Sequence, residues 1–462
     1  MLDVNPSIFR EYDIRGEYPS ALDERSAELI GKAFGSEVRL AGQQQCYLAW
    51  DGRHSSPALK DAFSRGVLST GCDILEIGPA PTAVAFWVIK EQALSCAIIT
   101  GSHNPKQDNG IKMAVAGKAR SGDDIQVLLS RIQLNLFKEG QGQVSQVPDV
   151  VNHYARRALQ GLEVKRPIKV VLDAGNGIGG PLALSLFEGL GCEVIPLACD
   201  IDGDFPLHHP DPAKLENLTH LQDAVLAHQA DVGIALDGDA DRIGVIDDQG
   251  QAILPDRLSL LFVQDILHHQ PDATCLYDVK CTELLPQFIR QWGGQGRMIA
   301  TGHSTMKKAI KETNAAFATE LSGHILFNDT LGLGVDDGIY AGLRLLALLG
   351  AQPESLSQRL AQFPQPISTP EIQLPVDEKA KFHTMKIIRA DGFKQYPVHT
   401  VDGLRILFEH EQGLGWALVR ASNTTPCLTV RFEADNQTVL DHIQQSVKAE
   451  LQRLVPDLAI TF

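Results

Sequence analysis

A chain of 462 residues is too long for one small hydrophobic core, so its length predicts three or four domains. Hydrophobic residues make up 44% and charged residues 21%, which is ordinary for a globular protein and excludes a fibrous or disordered chain. The formal net charge of -16 argues against nucleic acid as a partner, because clustered Lys and Arg bind phosphate backbones. A small phosphorylated ligand, held in a local cationic pocket, stays compatible with that charge.

The N-terminal segment has neither the basic start nor the apolar core of a signal peptide. The most apolar stretch, residues 339–350, contains Arg344 and is far shorter than the roughly 20 residues that cross a bilayer. The eight cysteines are scattered and none forms a Cys-x-x-Cys pair, which is typical of reduced thiols. We therefore expect a cytoplasmic protein with no membrane partner.

Along the chain, short apolar segments alternate with turns rich in Gly and Asp and with stretches of helical spacing. The apolar segments predict buried strands, and the stretches between them predict crossover helices. The predicted fold class is therefore α/β with parallel or mixed sheets, in which loops at the carboxyl ends of strands usually bind ligands. In chain order, polar loops follow the predicted strands at residues 47–50, 96–99, 168–172 and 232–236.

Changes in composition predict the domain boundaries. A polar, Gln-rich linker covers residues 139–149, a turn closes a unit at 247–250, and a break rich in proline covers 363–366. From these changes we predict domains at residues 1–148, 149–250, 251–363 and 364–462.

The last unit has a different pattern from the first three. Its apolar segments are longer and are joined by a glycine-rich turn, and its tail has helical spacing. We therefore predict a small α+β domain, with strands at 403–411, 415–420 and 427–433 and a helix at 435–454.

The loop Thr100-Gly101-Ser102-His103-Asn104-Pro105 follows a predicted buried strand and presents the hydroxyl of Ser102. Because glycine has no side chain, a phosphate can approach the backbone N–H groups of such a loop closely. An ordinary Ser/Asn/Pro turn is the alternative that these six residues alone leave open.

A second loop carries three carboxylates, Asp237, Asp239 and Asp241, within five residues. Like charges so close repel one another unless a cation lies between them, and oxygen ligands predict Mg²⁺ or Ca²⁺ rather than zinc. An EF-hand is disfavoured, because its obligatory Gly and Glu positions hold Arg242 and Asp248, whereas a solvated acidic turn stays open. An octahedral Mg²⁺ would need further oxygen ligands, which a phosphate on the serine loop could supply.

Two later loops carry groups suited to a phosphorylated sugar. Glu320, Ser322 and His324 offer hydrogen-bond partners for hydroxyls. The loop from Arg420 to Thr424 combines a guanidinium with hydroxyl and amide donors that suit a phosphate dianion. Several isolated residues are further candidates, although such residues are more often structural or solvated: Tyr12, Arg15, Lys112, Lys280 and His303.

Together these segments resemble the α-D-phosphohexomutase family. Residues 100–105 resemble its phosphoserine loop and 237–242 its metal loop, while 320–324 and 420–424 are similar to its sugar and phosphate loops. All four motifs occur in the family's order. The resemblance implies four domains around a central cleft: three mixed α/β domains and a C-terminal α+β domain shaped like the TATA-box-binding protein.

The resemblance also implies a chemistry. Ser102 would carry a phosphoryl group and donate it to a hexose phosphate, with hexose 1,6-bisphosphate as intermediate and activator. Mg²⁺ would be held by Ser102, Asp237, Asp239 and Asp241. His303 and Lys112 are the candidates for moving the proton of the attacking hydroxyl, with Arg15 as electrostatic support.

Substrate choice follows from the same resemblance, which is closest to the bifunctional phosphomannomutase/phosphoglucomutase branch. Leu321 and the triplet Ser422-Asn423-Thr424 fit that branch rather than the phosphoglucosamine mutases. If Glu320 and Ser322 bind the 3- and 4-hydroxyls, the protein makes little contact with the 2-position. Glucose and mannose phosphates, which differ there, would then both be accepted. Further substrate contacts are implied for Tyr12, Arg242, Lys280, His303, His324 and Arg420. We expect a monomer.

One departure and two rival readings accompany this interpretation. Gly101 stands where many relatives have Ala, which should loosen the serine loop slightly. A haloacid-dehalogenase-type phosphotransferase would use Asp237 as its nucleophile, but Asp241 stands where those enzymes typically have Thr or Val. A sugar-phosphate sensor that has lost turnover is the non-enzymatic alternative.

Overall fold

The computed structural model describes residues 4–147, 149–377, 379–422 and 425–462. Its strands form four sheets, each built from one successive part of the chain. The first three sheets mix parallel and antiparallel pairs, and the fourth is antiparallel throughout. The predicted α/β class with a terminal α+β unit is therefore confirmed.

The first sheet has the strand order β1-β5-β4-β2-β3-β7, with β6 beside β5. Its helices pack on both the strands and each other, and every residue of β4 is buried. The strands are β1 (Ile14–Glu17), β2 (Gln45–Trp50), β3 (Asp73–Pro79), β4 (Ser95–Ile99), β5 (Asp108–Val115), β6 (Lys118–Ala119) and β7 (Val144–Gln146). The helices are α1 (Glu24–Leu40), α2 (Ser56–Leu68), α3 (Thr82–Gln92) and α4 (Asp123–Gln133), preceded by a 3₁₀ turn at Pro6–Ile8.

The second sheet has the order β12-β11-β10-β8-β9. It contains β8 (Lys169–Asp173), β9 (Glu193–Leu197), β10 (Val232–Leu236), β11 (Ile243–Asp247) and β12 (Ala252–Ile253), with helices α5 (Asp149–Leu159), α6 (Gly180–Gly189) and α7 (Thr219–His228) and a 3₁₀ turn at Leu215–Leu218. Because β10 runs parallel to β8, the acidic loop after β10 lies at the same sheet edge as the loop after β8.

The third sheet has the order β14-β13-β15-β16. Its elements are α8 (Pro255–His269), β13 (Thr274–Asp278), α9 (Leu284–Gln291), β14 (Gln295–Ile299), α10 (His303–Thr313), β15 (Phe317–Thr319), β16 (Ile325–Phe327), α11 (Gly338–Gly350) and α12 (Leu356–Leu360). Helix α11 contacts β10 and β11 of the second sheet as well as β16. A single hydrophobic core therefore continues from the second unit into the third.

The fourth sheet has the order β17-β22-β21-β20-β19, and β18 also pairs with β22. Helices α13 and α14 cover it and enclose a separate hydrophobic core. The elements are β17 (Ile367–Ser368), β18 (Ile372–Pro375), α13 (Lys381–Asp391), β19 (Val398–His399), β20 (Leu404–His410), β21 (Gly413–Ala421), β22 (Cys427–Ala434) and α14 (Gln437–Leu454). The three strands and the helix predicted here are confirmed.

Two findings bear on the expected surroundings of the protein. Among the described residues, no helix combines the length and apolarity that a bilayer crossing requires. All eight cysteines are buried and unpaired, as expected of reduced thiols.

Helix α11 begins at a buried carboxyl group whose ionisation opposes folding. The Oδ1 atom of Asp337 accepts from the N–H of Tyr340 (2.9 Å), and its Oδ2 atom accepts from the Tyr154 hydroxyl (2.5 Å). Burial nevertheless raises the pKa of Asp337 from 3.8 to about 7. Between these values the folded state holds a proton that the unfolded state has lost, so this group's contribution to stability declines as pH rises.

Asp337→Asn should remove that pH dependence. Relative to the variant, the wild type should lose stability between about pH 4 and pH 8, by at most about 4 kcal/mol at 1.4 kcal/mol per pKa unit. Urea unfolding of both proteins across this range measures the difference. If the difference in unfolding free energy between the two proteins stays constant across this pH range, Asp337 is ionised throughout it.

Candidate active site

A cleft of about 410 Å³ lies between the four sheets and contains most of the predicted site residues. Its lining includes Tyr12, Arg15, Ser102, Lys112, Arg242, Lys280, His303, Glu320, Ser322, His324, Arg420 and Ser422. The carboxylates of Asp237, Asp239 and Asp241 are fully buried beside Ser102. Two predicted residues, Asn423 and Thr424, lie outside the described residues.

Ser102 sits in the loop that follows β4 and has a backbone φ of 49°, a left-handed conformation that few residues other than glycine adopt. Its N–H donates to the Thr100 hydroxyl at 2.9 Å. Such a conformation costs about 1–3 kcal/mol, and it persists only where surrounding contacts hold it. The Ser102 residue is only 2% exposed, and its hydroxyl points at the acidic loop of the second sheet.

The contacts that hold the serine loop come mainly from Arg53, which follows β2 and is 2% exposed. Its guanidinium donates to four backbone carbonyl oxygens of the loop, those of Ser102 (2.8 Å), Asn104 (2.7 Å), Pro105 (2.6 Å) and Asp108 (2.9 Å). Because buried carbonyl groups are costly without partners, Arg53 fixes the loop's path. It is a positioning residue that the sequence interpretation missed.

The backbone of Gly101 lies against the Arg53 side chain, and that this glycine loosens the loop stays a prediction. A Cβ atom at this position would lie 2.5 Å from the guanidinium carbon of Arg53 and 2.9 Å from the Asp108 carbonyl oxygen. The Arg53 guanidinium therefore occupies the space that a side chain at position 101 would need. The N–H of Gly101 donates to Asp51 Oδ2 at 3.1 Å, which ties the loop down further.

Arg53→Lys should destabilise the protein and misplace Ser102, because one ammonium cannot reach all four carbonyl groups. We expect the free energy of unfolding to fall by about 2–4 kcal/mol, with at least about a tenfold loss of kcat. Urea unfolding and the turnover assay described below measure the two effects. Arg65→Lys, at a side chain 59% exposed on α2, is the matched control and should change neither. Wild-type behaviour of Arg53→Lys would remove Arg53 from this role.

The acidic loop joins β10 to β11 and meets the serine loop directly. The Ser102 hydroxyl donates to Asp237 Oδ2 at 2.9 Å. A Cβ atom at Gly238 would lie 2.3 Å from the Ser102 carbonyl oxygen, so only glycine permits this approach. The phosphate-bearing candidate and the metal-binding candidate are thus in contact, although 135 residues separate them in sequence.

The acidic triad of Asp237, Asp239 and Asp241 fits a divalent cation. One ligand atom from each carboxylate lies within 4.8 Å of the others. Within the described part of the chain, the Oδ1 atoms of Asp239 and Asp241 are buried and have no hydrogen-bond partner. Burial raises the pKa of Asp237 well above its usual range, and the charges of its two acidic neighbours raise it further. A hard cation such as Mg²⁺ would satisfy both the charges and the unpaired oxygens.

Lys112, on β5, supplies positive charge on the other side of the triad. Its Nζ atom lies 2.7 Å from Asp239 Oδ2 and 2.6 Å from Asp241 Oδ2. Burial disfavours the ammonium, but these two carboxylates raise the pKa of Lys112 above its ordinary value. Lys112 therefore holds its proton firmly and stays a cation beside the triad.

Two stacked imidazoles, those of His303 and His324, line the cleft opposite the serine loop, with ring centroids 5.6 Å apart. Burial and the charge of Lys307 lower the pKa of His303 well below its ordinary value, so its ring is neutral near pH 7. The His324 Nε2 atom accepts from Arg242 Nε at 2.9 Å, which places the proton of a neutral ring on Nδ1. That Nδ1 atom lies 3.3 Å from Asp336 Oδ2.

Asp336 is a second residue that the sequence interpretation missed. It is fully buried, and its Oδ1 atom lies 2.7 Å from Lys307 Nζ. Although burial opposes ionisation, the charge of Lys307 holds the pKa of Asp336 well below its usual range. The carboxylate also lies 3.8 Å from His303 Nδ1, so one anion lies near both imidazoles.

Glu320 is held at the cleft by two hydrogen bonds. Its Oε1 atom accepts from the N–H of Gly302 (2.7 Å), and its Oε2 atom accepts from the Ser322 hydroxyl (3.0 Å). The Glu320 residue is only 2% exposed, so its orientation is fixed before any ligand arrives. A carboxylate and a hydroxyl held side by side suit the adjacent hydroxyls of a sugar.

The cationic side chains of the cleft are spread over several units. Arg15 donates to Asn104 Oδ1 (2.7 Å) and to Asp13 Oδ2 (2.6 Å), close to the serine loop. Arg420 pairs with Asp402, at 3.0 Å from Nε to Oδ2. The Ser422 hydroxyl accepts from Thr425, and the Tyr12 hydroxyl donates to the Thr301 carbonyl at 3.1 Å. Such a spread suits a ligand with anionic groups at both ends.

The fold and the site define a protein of four units around a cationic, hydroxyl-lined cleft with an acidic triad beside a constrained serine. The chain matches the family described as "Phosphoglucomutase/phosphomannomutase", with its alpha/beta/alpha domains I, II and III at residues 6–137, 151–250 and 254–367. The family's C-terminal domain matches residues 371–450.

Similar proteins support the same assignment. A phosphomannomutase/phosphoglucomutase of Pseudomonas putida is 41% identical over 99% of this chain and 98% of its own length. A phosphoglucomutase of Neisseria meningitidis is 41% identical over 98% of both chains. A crystal structure of a family protein from Burkholderia thailandensis, also 41% identical, superposes with a TM-score of 0.93 over 100% of both chains. The chain belongs to the phosphoglucomutase/phosphomannomutase family.

Proposed function

We propose that this protein is a phosphohexomutase that interconverts the 6-phosphate and 1-phosphate forms of glucose and mannose. The observation that carries the proposal is the 2.9 Å contact between the Ser102 hydroxyl and Asp237, inside a buried triad that fits a cation. A phosphoryl group on Ser102 would lie at the floor of the cleft, within reach of a hexose hydroxyl. Relatives named phosphomannomutase/phosphoglucomutase support the assignment.

Ser102 would transfer its phosphoryl group to the free hydroxyl of a hexose phosphate, giving a hexose 1,6-bisphosphate. The bisphosphate would then return its other phosphoryl group to Ser102, so the enzyme ends each cycle phosphorylated. Asp237, Asp239 and Asp241 would hold Mg²⁺ together with an oxygen of that phosphoryl group. When bound, the ion offsets negative charge on the group being transferred.

His303 and Lys112 are the candidates for moving the proton of the attacking hydroxyl. The neutral imidazole of His303 can accept that proton. The raised pKa of Lys112 makes its ammonium a weak acid, so Lys112 would act mainly through its positive charge. Arg15, held beside the serine loop through Asn104, would stabilise charge on the phosphoryl oxygens.

The far side of the cleft would bind the rest of the substrate. Glu320 and Ser322 would accept hydrogen bonds from the 3- and 4-hydroxyls of the sugar, and Ser322 could also donate to them. The non-reacting phosphate would be bound by Arg420, Ser422, Asn423 and Thr424, with Tyr12, Arg242, Lys280 and His324 contacting sugar or phosphate. Because each phosphate must occupy the same subsite in turn, the sugar would bind in two orientations.

We also propose Mg²⁺ as the metal, hexose 1,6-bisphosphate as activator, a cytoplasmic location and a monomeric state. Small phosphorylated hexoses would be the partners, and neither nucleic acid nor membrane would be bound. Cationic side chains and hydroxyl groups line the same cleft, which supports a phosphorylated sugar as the substrate.

A coupled assay tests the function directly. With Mg²⁺ and a trace of glucose 1,6-bisphosphate, glucose 1-phosphate should be converted to glucose 6-phosphate, which glucose 6-phosphate dehydrogenase reports. No turnover under these conditions would favour the sugar-phosphate sensor over the enzyme.

The same assay format, with kcat/KM measured for glucose, mannose and glucosamine 1-phosphates, tests substrate choice. Glucose and mannose should be used with similar efficiency, and glucosamine less well. A related protein from Methanothermobacter thermautotrophicus, 31% identical, is named a probable phosphoglucosamine mutase, so this control is needed. Strong preference for the glucosamine substrate would overturn the branch assignment but leave the phosphoserine chemistry intact.

A further inference from the structure

Glu371 is an acidic side chain of the cleft lining that lies near two cations, Lys280 and Arg420. It immediately precedes β18, two residues before Gln373, and both residues line the cleft because alternate residues of a strand face one side. Gln373 pairs with Thr429 on β22, and Thr429 pairs with Arg420 on β21. Glu371 is thus at the end of a row of side chains that leads to Arg420.

The carboxylate of Glu371 lies against Lys280, which follows β13. The distance from Glu371 Oε2 to Lys280 Nζ is 3.4 Å, shorter than the 3.9 Å from Lys280 to Asp278. Burial disfavours the Lys280 ammonium, but Glu371, followed by Asp278, raises the pKa of Lys280 above its ordinary value. Burial also opposes the charge of Arg420, and Asp402 and then Glu371 offset that effect, raising its pKa.

The two partners of this ion pair differ in their exposure to solvent. The Lys280 side chain is 7% exposed, whereas that of Glu371 is 37% exposed. An ion pair at 3.4 Å with one half-exposed partner is weak, because water screens it. An arriving dianion can therefore displace Glu371 from Lys280, while Lys280 itself stays in place.

We propose that Glu371 is the internal counter-ion of the cleft's phosphate-binding cations and sets how tightly the cleft holds a phosphoryl group. It neutralises Lys280 before substrate binds and competes with the phosphate afterwards. This inference rests on the proposed function, since it assumes that a phosphate binds beside Lys280 and Arg420. In a mutase each phosphate must leave this subsite so that the intermediate can change its orientation. A carboxylate that competes with the phosphate weakens phosphate binding and so favours this release.

The test measures binding of inorganic phosphate, which lacks the sugar hydroxyls that Glu371 could otherwise contact. Calorimetric titration of the full chain in Mg²⁺ buffer near neutral pH compares wild type with Glu371→Gln. Removing the carboxylate should tighten phosphate binding by about three- to tenfold, the size expected for a partly screened charge nearby. Glu371→Asp, which keeps the charge, should stay within about twofold of wild type.

Glu409→Gln is the matched control, because it makes the same charge change on an exposed residue of the same sheet, outside the cleft lining. Its phosphate affinity should equal that of wild type. The KM for glucose 1-phosphate should fall in Glu371→Gln by a factor similar to that seen for phosphate, without a rise in kcat. A merely structural role would raise KM or leave both values unchanged.

Equal or weaker phosphate binding by Glu371→Gln would overturn the inference, and so would a wild type that binds no phosphate. A higher KM with unchanged phosphate affinity would instead make Glu371 a residue that reads a sugar hydroxyl. The proposed function fails separately, if wild type turns over none of the three hexose 1-phosphates. Tighter phosphate binding by the variant of such an inactive protein would still support Glu371 as the counter-ion.

Discussion

Ser102→Ala is expected to lower kcat for glucose 1-phosphate at least about a thousandfold, with little change in stability. The variant loses the oxygen that would carry the phosphoryl group. Alanine tolerates the positive φ of this position about as well as serine does, so the loop should keep its path. The coupled assay measures the loss, and thermal unfolding checks the fold.

Ser130→Ala is the matched control for this prediction, because it removes a hydroxyl on α4 that donates to the nearby Gln126 carbonyl oxygen. It should retain full activity. If Ser102→Ala kept more than about a tenth of the wild-type kcat, the nucleophile would have to be another group. Asp237, the nucleophile of the haloacid-dehalogenase alternative, would be the next to test.

Asp241→Asn should raise the Mg²⁺ concentration needed for half-maximal activity by about a hundredfold or more. Asp241 presents one buried oxygen without a hydrogen-bond partner among the described residues, and its other oxygen accepts from Lys112. An amide lacks the charge that holds a hard cation, and it leaves Lys112 with one carboxylate instead of two. Activity measured over a Mg²⁺ titration gives the shift.

Asp223→Asn makes the same change at an exposed position of α7 and should leave the Mg²⁺ requirement as it is in wild type. A Mg²⁺ requirement unaltered by Asp241→Asn would show that this carboxylate is not a ligand. Asp241 would then act only as a counter-ion of Lys112.

The strands that position the site could be predicted because each one is a short apolar run ended by Gly or Asp. β10 was predicted at residues 232–236, and the structure places it at Val232–Leu236. The loops after β4 and β10 could be identified for the same reason, since buried strands end where polar side chains begin. Only the family resemblance predicted that these loops form one site. Each motif by itself could equally have been an ordinary turn.

The residues that hold the site in shape could not be predicted, because their roles depend on contacts between distant segments. Arg53 is 49 residues from Ser102 in sequence, and Glu371 is 91 residues from Lys280. Nothing in the local sequence of Asp336 distinguishes it from the neighbouring Asp337, yet only Asp336 faces the imidazoles. The contact of Gly101 with Arg53 could not be predicted for the same reason, since that guanidinium comes from the loop after another strand.

The most direct test of the central claim is phosphopeptide mapping of the protein after incubation with glucose 1,6-bisphosphate and Mg²⁺. We predict one phosphoryl group per chain, located on Ser102, stable to acid and to hydroxylamine and lost when glucose 6-phosphate is added in excess. A phosphate on Asp237 that hydroxylamine removes, or full turnover by a chain that never carries phosphate on Ser102, would contradict this assignment.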